Sequence, residues 1–311
     1  MKWLTSLFSP KIEREGYLTK QGHEIYYRAY GNPQGTPIIS FHGGPGGASR
    51  EKYARLFDLK KYYFIQFDQR GCGASISADF LHENTTQKTL QDAFDILQQL
   101  NIQKPVISHG VSWGATLALL FAETYPEIVR KIIVSSVFLA RTYDADWITR
   151  DSIRFYPDLW TEMKKQINTD NVQKQYYDML FSDNQTAQNK ALSYLGSYEY
   201  MLGSLHPHFT ERADFNEQNL QEARIYFYYA QNHYFLQDDQ ILQNADKIRN
   251  IPTLITHNRM DFCCPVQQAW DLHTALPQSV IHIVPDYGHT SPLLTKETKR
   301  QIKAFLRTPT H

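Results

Sequence analysis

The chain has 311 residues, 42% of them hydrophobic and 21% charged, which is the profile of an ordinary soluble globular protein. Thirty-two basic residues balance thirty-two acidic ones, so there is no electrostatic footprint for nucleic acid or an anionic membrane, and neither is expected as a partner. Three cysteines, Cys72, Cys263 and Cys264, lack the count and spacing of a disulfide framework or a zinc site, which points to a reducing cytoplasm and to no metal.

At the N-terminus the apolar run from Trp3 to Phe8 is interrupted by Thr5 and Ser6 and is too short for a signal-peptide core. No run approaches the roughly eighteen apolar residues of a membrane span. TPIISFH (36–42) then reads as a strand running into a glycine-rich loop, and YYFIQFD (62–68) as a second strand before another glycine turn. TLQDAFDILQQLN (89–101) has apolar residues at helical spacing. PVISHG (105–110) is a strand, ATLALLFAETYP (115–126) a helix stopped by Pro126, and KIIVSSVFLA (131–140) a strand. From about 141 to 245 strand patterns give way to helical stretches rich in Tyr, Gln and Asn. The alternating texture returns with PTLITHN (252–258), a helix around 266–276, SVIHIVP (279–285) and a closing helix near 295–306. This predicts an α/β fold with a mostly parallel sheet, residues 1–140 and 246–311, carrying an inserted all-helical cap, residues 141–245. Functional loops in such sheets lie beyond the carboxyl ends of the strands.

Gly110-Val111-Ser112-Trp113-Gly114 is G-x-S-x-G between a predicted strand and a predicted helix. That context makes it a nucleophile elbow, a sharp turn that exposes the serine hydroxyl at a helix N-terminus. A serine needs a base, and in this arrangement the order along the chain is Ser, acid, His. Asp261 follows one late strand and His289 follows the next. His289 would carry the proton and Asp261 would orient it; Asp286, on the same loop as His289, is the rival acid. The oxyanion hole needs the N–H of Trp113 and a second donor from an early loop. HGGPGG (42–47) fits, and it lacks the G-K-[ST] that a phosphate-binding loop requires.

HGGPGG (42–47), DQRGCGAS (68–75), GVSWGATLAL (110–119), NHYF (232–235), CPVQQAWDLH (264–273) and GHT (288–290) together resemble the prolyl aminopeptidases, or proline iminopeptidases. These are α/β-hydrolases with a helical cap that remove an N-terminal proline from small peptides without metal or other cofactor. The resemblance implies Ser112, Asp261 and His289 as triad and Gly44 and Trp113 as oxyanion donors, with Gly43 as the alternative to Gly44. It implies that Asp68 and Arg70 brace their turn as a pair. It also implies cap carboxylates for the substrate's protonated α-amine. At the first such position the chain has Glu199 after Tyr198, on a helical face shared with Leu192, Leu195 and Leu202.

At the second, the family's Glu-Asn-His-Tyr-Phe reads Gln231-Asn232-His233-Tyr234-Phe235. An amide replaces a charge-assisted contact by a neutral one, a difference of roughly 1–2 kcal/mol. Gln231 lies in the aromatic stretch YFYYAQNHYF (226–235), where Phe227, Gln231 and Tyr234 are expected on one helical face. The family's Arg-Gly before the cap is Ser135-Ser136 here, which removes a basic contact to the rest of the peptide. Asn258 replaces a Gly, and Asn is the side chain that best tolerates left-handed backbone. Val111, inside the elbow, replaces another Gly. The reading is therefore a serine aminopeptidase acting on peptides with a free N-terminus. A relaxed esterase or amidase with weakened amine recognition is the alternative.

Overall fold

The computed structural model describes residues 10–165, 172–205, 215–289 and 296–308, apart from the side chains of Met163 and Glu199. Nine strands form one sheet: β1 (Ile12–Lys20), β2 (His23–Gly31), β3 (Thr36–Phe41), β4 (Tyr62–Phe67), β5 (Ile76–Ser77), β6 (Val106–Val111), β7 (Val129–Ser135), β8 (Thr253–Asn258) and β9 (Ser279–Val284). Their order is β1-β2-β4-β3-β6-β7-β8-β9, with β5 paired to β2. From β4 to β9 every neighbour is parallel, while β1, β2 and β5 are antiparallel additions at one edge. The central strands are nearly continuous apolar runs because both faces are covered. β1 is mostly exposed and carries Glu13, Arg14, Glu15 and Lys20, charges that suit an edge. Gln21 and Gly22, both at positive φ, close the β1–β2 hairpin in two residues.

Helices α1 (Thr86–Gln99) and α2 (Trp113–Thr124) pack on one face of the sheet. α2 is buried almost all round, as its run of Ala, Leu and Phe requires. Between β7 and β8 lie α3 (Thr142–Asp146), α4 (Pro157–Lys164), α5 (Val172–Leu180), α6 (Gln185–Gly203), α7 (Glu217–Gln231) and α8 (Gln240–Gln243), and no strand occurs there among the described residues. This segment has a small core of its own, with Tyr176, Leu180, Ala191, Tyr194, Leu220 and Phe227. α9 (Val266–Ala275) joins the α1–α2 face, and α10 (Lys296–Phe305) covers the opposite one through Ile302 and Phe305.

Three expectations change. The strand predicted over 131–140 stops at Ser135, because Ser136 takes left-handed backbone (φ 47°) where the chain leaves the sheet. Phe227, Gln231 and Tyr234 do not share a helical face, because α7 ends at Gln231 and Tyr234 follows in left-handed backbone. Phe227 packs in the helical insert, whereas Tyr234 packs on Trp113 and Phe138. Asp68 and Arg70 are not paired with each other. Asp68 accepts from the N–H groups of Ser49 (2.7 Å) and Ala74 (2.9 Å), holding two loops together. Arg70 reaches helix α1 instead, donating to both oxygens of Asp92 at 2.7 Å, and also to Gln21 and the Glu83 carbonyl.

Both members of the Arg70–Asp92 pair are 1% exposed. Such a pair does little for net stability but is costly to break, since one charge is then left buried alone. Arg70→Met is expected to lower unfolding free energy by about 3–5 kcal/mol, measured by urea denaturation. A loss under about 1 kcal/mol would contradict this account of the loop.

Candidate active site

Ser112 joins β6 to α2 with φ 59° and ψ −128°, a conformation that costs a non-glycine residue about 1–3 kcal/mol. The turn is this tight because its neighbours have no side chains. A Cβ on Gly110 would fall inside contact distance of the Gly114 carbonyl, and one on Gly114 would collide with the carbonyl of Phe41. The Ser112 N–H donates to the Ser135 carbonyl (3.0 Å), and the Ser112 carbonyl accepts from Ala115 N–H (2.7 Å), which fixes both sides of the elbow.

The HGGPGG loop crosses directly over this turn. A Cβ on Gly43 would stand 3.5 Å from that of Ser112, and Gly44 has φ +134°. Among the described residues, neither the Trp113 nor the Gly44 N–H donates to a backbone oxygen. A polar network buried behind the loop ties it down. Gln69 N–H donates to His42 Nε2 (3.0 Å), Gln69 Nε2 to the His42 carbonyl (3.0 Å), and Trp113 Nε1 to Gln69 Oε1 (3.1 Å).

Asp261 lies beyond β8 and His289 beyond β9, and His289 Nδ1 stands 2.8 Å from Asp261 Oδ2. Asp286, the rival acid, is exposed on a left-handed turn, whereas the carboxylate beside His289 is that of Asp261. Asp261 Oδ1 accepts from the N–H groups of Cys263 (3.0 Å) and Cys264 (2.8 Å). Burial alone would push this carboxyl up, but the His289 imidazole, with His257 and the Cys264 N–H, holds it below the usual aspartate value. It therefore stays ionised through the neutral range. His257 accepts from Val137 N–H at Nδ1 (3.1 Å), so its Nε2 carries the proton and donates to the Cys264 carbonyl (2.7 Å). Burial keeps it neutral. Asn258 is not left-handed, as its replacement of a glycine suggested. It closes β8 and donates from Nδ2 to the Gly288 carbonyl (3.0 Å), tying the acid loop to the histidine loop.

Helix α7 lies against the HGGPGG and DQRG loops. Gly46 must be glycine because the Glu222 carbonyl of α7 occupies the place of its Cβ. Gln221 donates to the Gly71 carbonyl (2.6 Å), Tyr229 OH donates to Asn84 (2.9 Å), and the rings of Tyr229 and Tyr234 sit 5.5 and 5.6 Å from Trp113. Gln231 is exposed at the C-terminal end of α7. It shares a cavity of about 360 Å³ with Gln173, Lys174, Tyr177 and Asp178. The Glu199 side chain lies outside the described residues; its neighbour Tyr198 is anchored to Ser152 (2.9 Å) and the Ile148 carbonyl. Ser135 is sealed in the sheet by Thr256 (2.5 Å). Val111 is buried at the end of β6. Residues that sequence reasoning missed are His42, Gln69 and His257. The first two lay inside the recognised motifs, but their importance comes from contacts between loops.

A strained serine on a strand-to-helix turn, an acid and a histidine beyond the last two strands, and a glycine loop overhead define an α/β-hydrolase, and residues 36–294 match the α/β hydrolase fold family. A solved structure of a bromoperoxidase from Bacillus anthracis superposes with TM-score 0.64 at 17% identity, covering 95% of this chain and 99% of that one. A proline iminopeptidase from Arabidopsis thaliana is 35% identical over 86% of this chain and 73% of its own length. A probable proline iminopeptidase from Leptolyngbya boryana is 36% identical over 86% and 85% respectively. The chain belongs to the proline iminopeptidase family of α/β-hydrolases.

The elbow geometry yields a sharp contrast between glycines. Gly110→Ala drives a methyl into a backbone carbonyl and is expected to abolish soluble folded protein or cost more than about 4 kcal/mol. Gly22→Ala, with nothing within 4 Å of its added Cβ, is expected to lose only about 1 kcal/mol, for its positive φ. Comparable melting temperatures for the two variants would refute the close approach at the elbow.

Proposed function

We propose that the chain is a serine aminopeptidase that releases an N-terminal proline, or a similar small residue, from peptides through an acyl-enzyme. The observation that carries this reading is the 2.8 Å pairing of His289 Nδ1 with Asp261, on two loops at the same carboxyl end of the sheet as the strained Ser112. With Nδ1–H held by the carboxylate, His289 Nε2 is the basic nitrogen. It takes the Ser112 proton as Oγ attacks the prolyl carbonyl, and returns it to the leaving amine. Water then repeats the sequence on the ester and frees proline. The negative charge on the tetrahedral oxygen is met by the N–H groups of Trp113 and Gly44, at the positive end of α2. Asp261 stays ionised and stabilises the imidazolium. The names of the relatives favour this reading over a relaxed esterase or amidase.

We assign residues 141–245 to a cap and Glu199 and Gln231 to recognition of the α-amine. That amine is largely protonated at neutral pH and calls for acceptors. Gln231 Oε1 can accept, and the C-terminal end of α7 adds the negative end of a helix dipole. Among the described residues Cys72, Cys263 and Cys264 form no disulfide, which supports a reducing compartment such as the cytoplasm. Among the described residues no helix is long and apolar enough to cross a membrane.

Purified protein is expected to hydrolyse prolyl-4-nitroanilide. Ser112→Ala is expected to abolish this, and Asp261→Asn to lower kcat by about 10⁴. Hydrolysis of short acyl esters without turnover of prolyl or alanyl amides would refute the assignment. Gln231→Glu is expected to raise kcat/KM for free-amine substrates about five- to thirtyfold, with N-acylated ones unchanged. An equal change in both would remove Gln231 from the amine site.

A further inference from the structure

The buried network behind the glycine loop has a single consistent proton assignment. The Trp113 indole can only donate, so the oxygen of the Gln69 amide must face it and the Gln69 NH₂ must face the His42 carbonyl. The Gln69 backbone N–H can only donate, so His42 Nε2 must accept and the imidazole proton sits on Nδ1. That proton is directed at the Gly43 carbonyl, 2.8 Å away. Desolvation holds the His42 pKa below its ordinary value, so the ring stays neutral at working pH. His42, Gln69 and Trp113 are all at most 4% exposed, so water does not compete for these bonds.

The consequence follows from the trans peptide, in which C=O and N–H point in opposite directions. The Gln69 amide holds the His42 carbonyl, and this aims the Gly43 N–H the other way. The His42 imidazole holds the Gly43 carbonyl, and this aims the Gly44 N–H. Two successive glycine peptides, each free to rotate in isolation, are thus each clamped by the carbonyl. The same Gln69 side chain grips the Trp113 indole, whose residue supplies the other oxyanion N–H.

We infer that Gln69 and His42 are positioning residues that set the directions of the oxyanion donors, with Gln69 joining the loop half of the hole to the helix half. Neither touches substrate. This rests on the oxyanion assignment proposed above. Because donors aimed at a developing charge act on the transition state, loosening them lowers kcat and leaves ground-state binding alone.

The test compares two ligands on Gln69→Met, which keeps the length of the side chain and removes its hydrogen bonds. Pyrrolidine-2-boronic acid forms a tetrahedral adduct on Ser112 and places an oxygen in the hole, whereas pyrrolidine fills only the proline site. Boronate affinity and kcat for prolyl-4-nitroanilide are expected to fall together by about 30- to 100-fold, with pyrrolidine affinity within twofold of wild type. Trp113→Phe removes the indole N–H from the other end of the network, at the cost of some ring volume against Tyr229 and Tyr234, a loss that the pyrrolidine comparison controls for. It is expected to show the same split, and it decides the matter should Gln69→Met not fold. Boronate affinity within threefold of wild type, or an equal loss for pyrrolidine, overturns the inference. Failure of the boronate to bind the unsubstituted chain overturns the oxyanion hole itself, and the inference with it.

Discussion

There is no space for a side chain at residues 110 and 114, and the functional end of the molecule is built around that constraint. The strand β6 and the helix α2 meet so closely that Gly110 abuts the Gly114 carbonyl, and Gly114 abuts the end of β3. Only this approach turns the chain sharply enough to leave Ser112 at positive φ between strand and helix. The strain is local, but its support is global. Parallel neighbours on both sides of β6 hold the strand in place, and an almost wholly buried helix holds the far side of the turn. Backbone strain survives where the surroundings leave the chain no alternative.

The DQRG loop after β4 is a brace made of three separate devices. Asp68 gathers N–H groups from two loops, Gln69 spans the glycine loop and Trp113, and Arg70 fastens to Asp92 on α1. Each is a buried polar group with its partners in place. Such groups add little net stability, and breaking any of them is costly. Their effect is to allow one arrangement of the loops around Ser112. The acid and histidine loops are joined in the same manner through Asn258, while two N–H groups of the acid loop itself hold Asp261 in place.

The fold leaves the chemistry of recognition open, since one scaffold serves many reactions. The helical segment between β7 and β8, to which recognition is assigned as a proposal, approaches the site mainly through α7. Tyr229 and Tyr234 close on Trp113, whereas Gln231 remains exposed at the end of the same helix. The aromatic stretch 226–235 therefore does two things. Its Tyr229 and Tyr234 rings bind the segment to α2, and Gln231 faces solvent and the cavity beside α5.

Much of this could be read along the chain. The parallel strands, the α2 helix, the elbow and the order Ser112, Asp261, His289 are signalled by local composition and spacing, which act over a few residues. The β1–β2 hairpin escaped that reading because alternation in a charged edge strand is weak. The end of the strand at Ser135 escaped it because Val137 and Phe138 are as apolar as the strand before them. The pairing of His289 with Asp261, the partners of Asp68 and Arg70, the hydrogen bond of Asn258 and the Gln69 network depend on which loops meet. Residues 42, 69 and 113 are brought together by strand order alone. A sequence states which hydrogen-bonding groups are present; only the packed sheet decides which of them share a volume from which water is excluded.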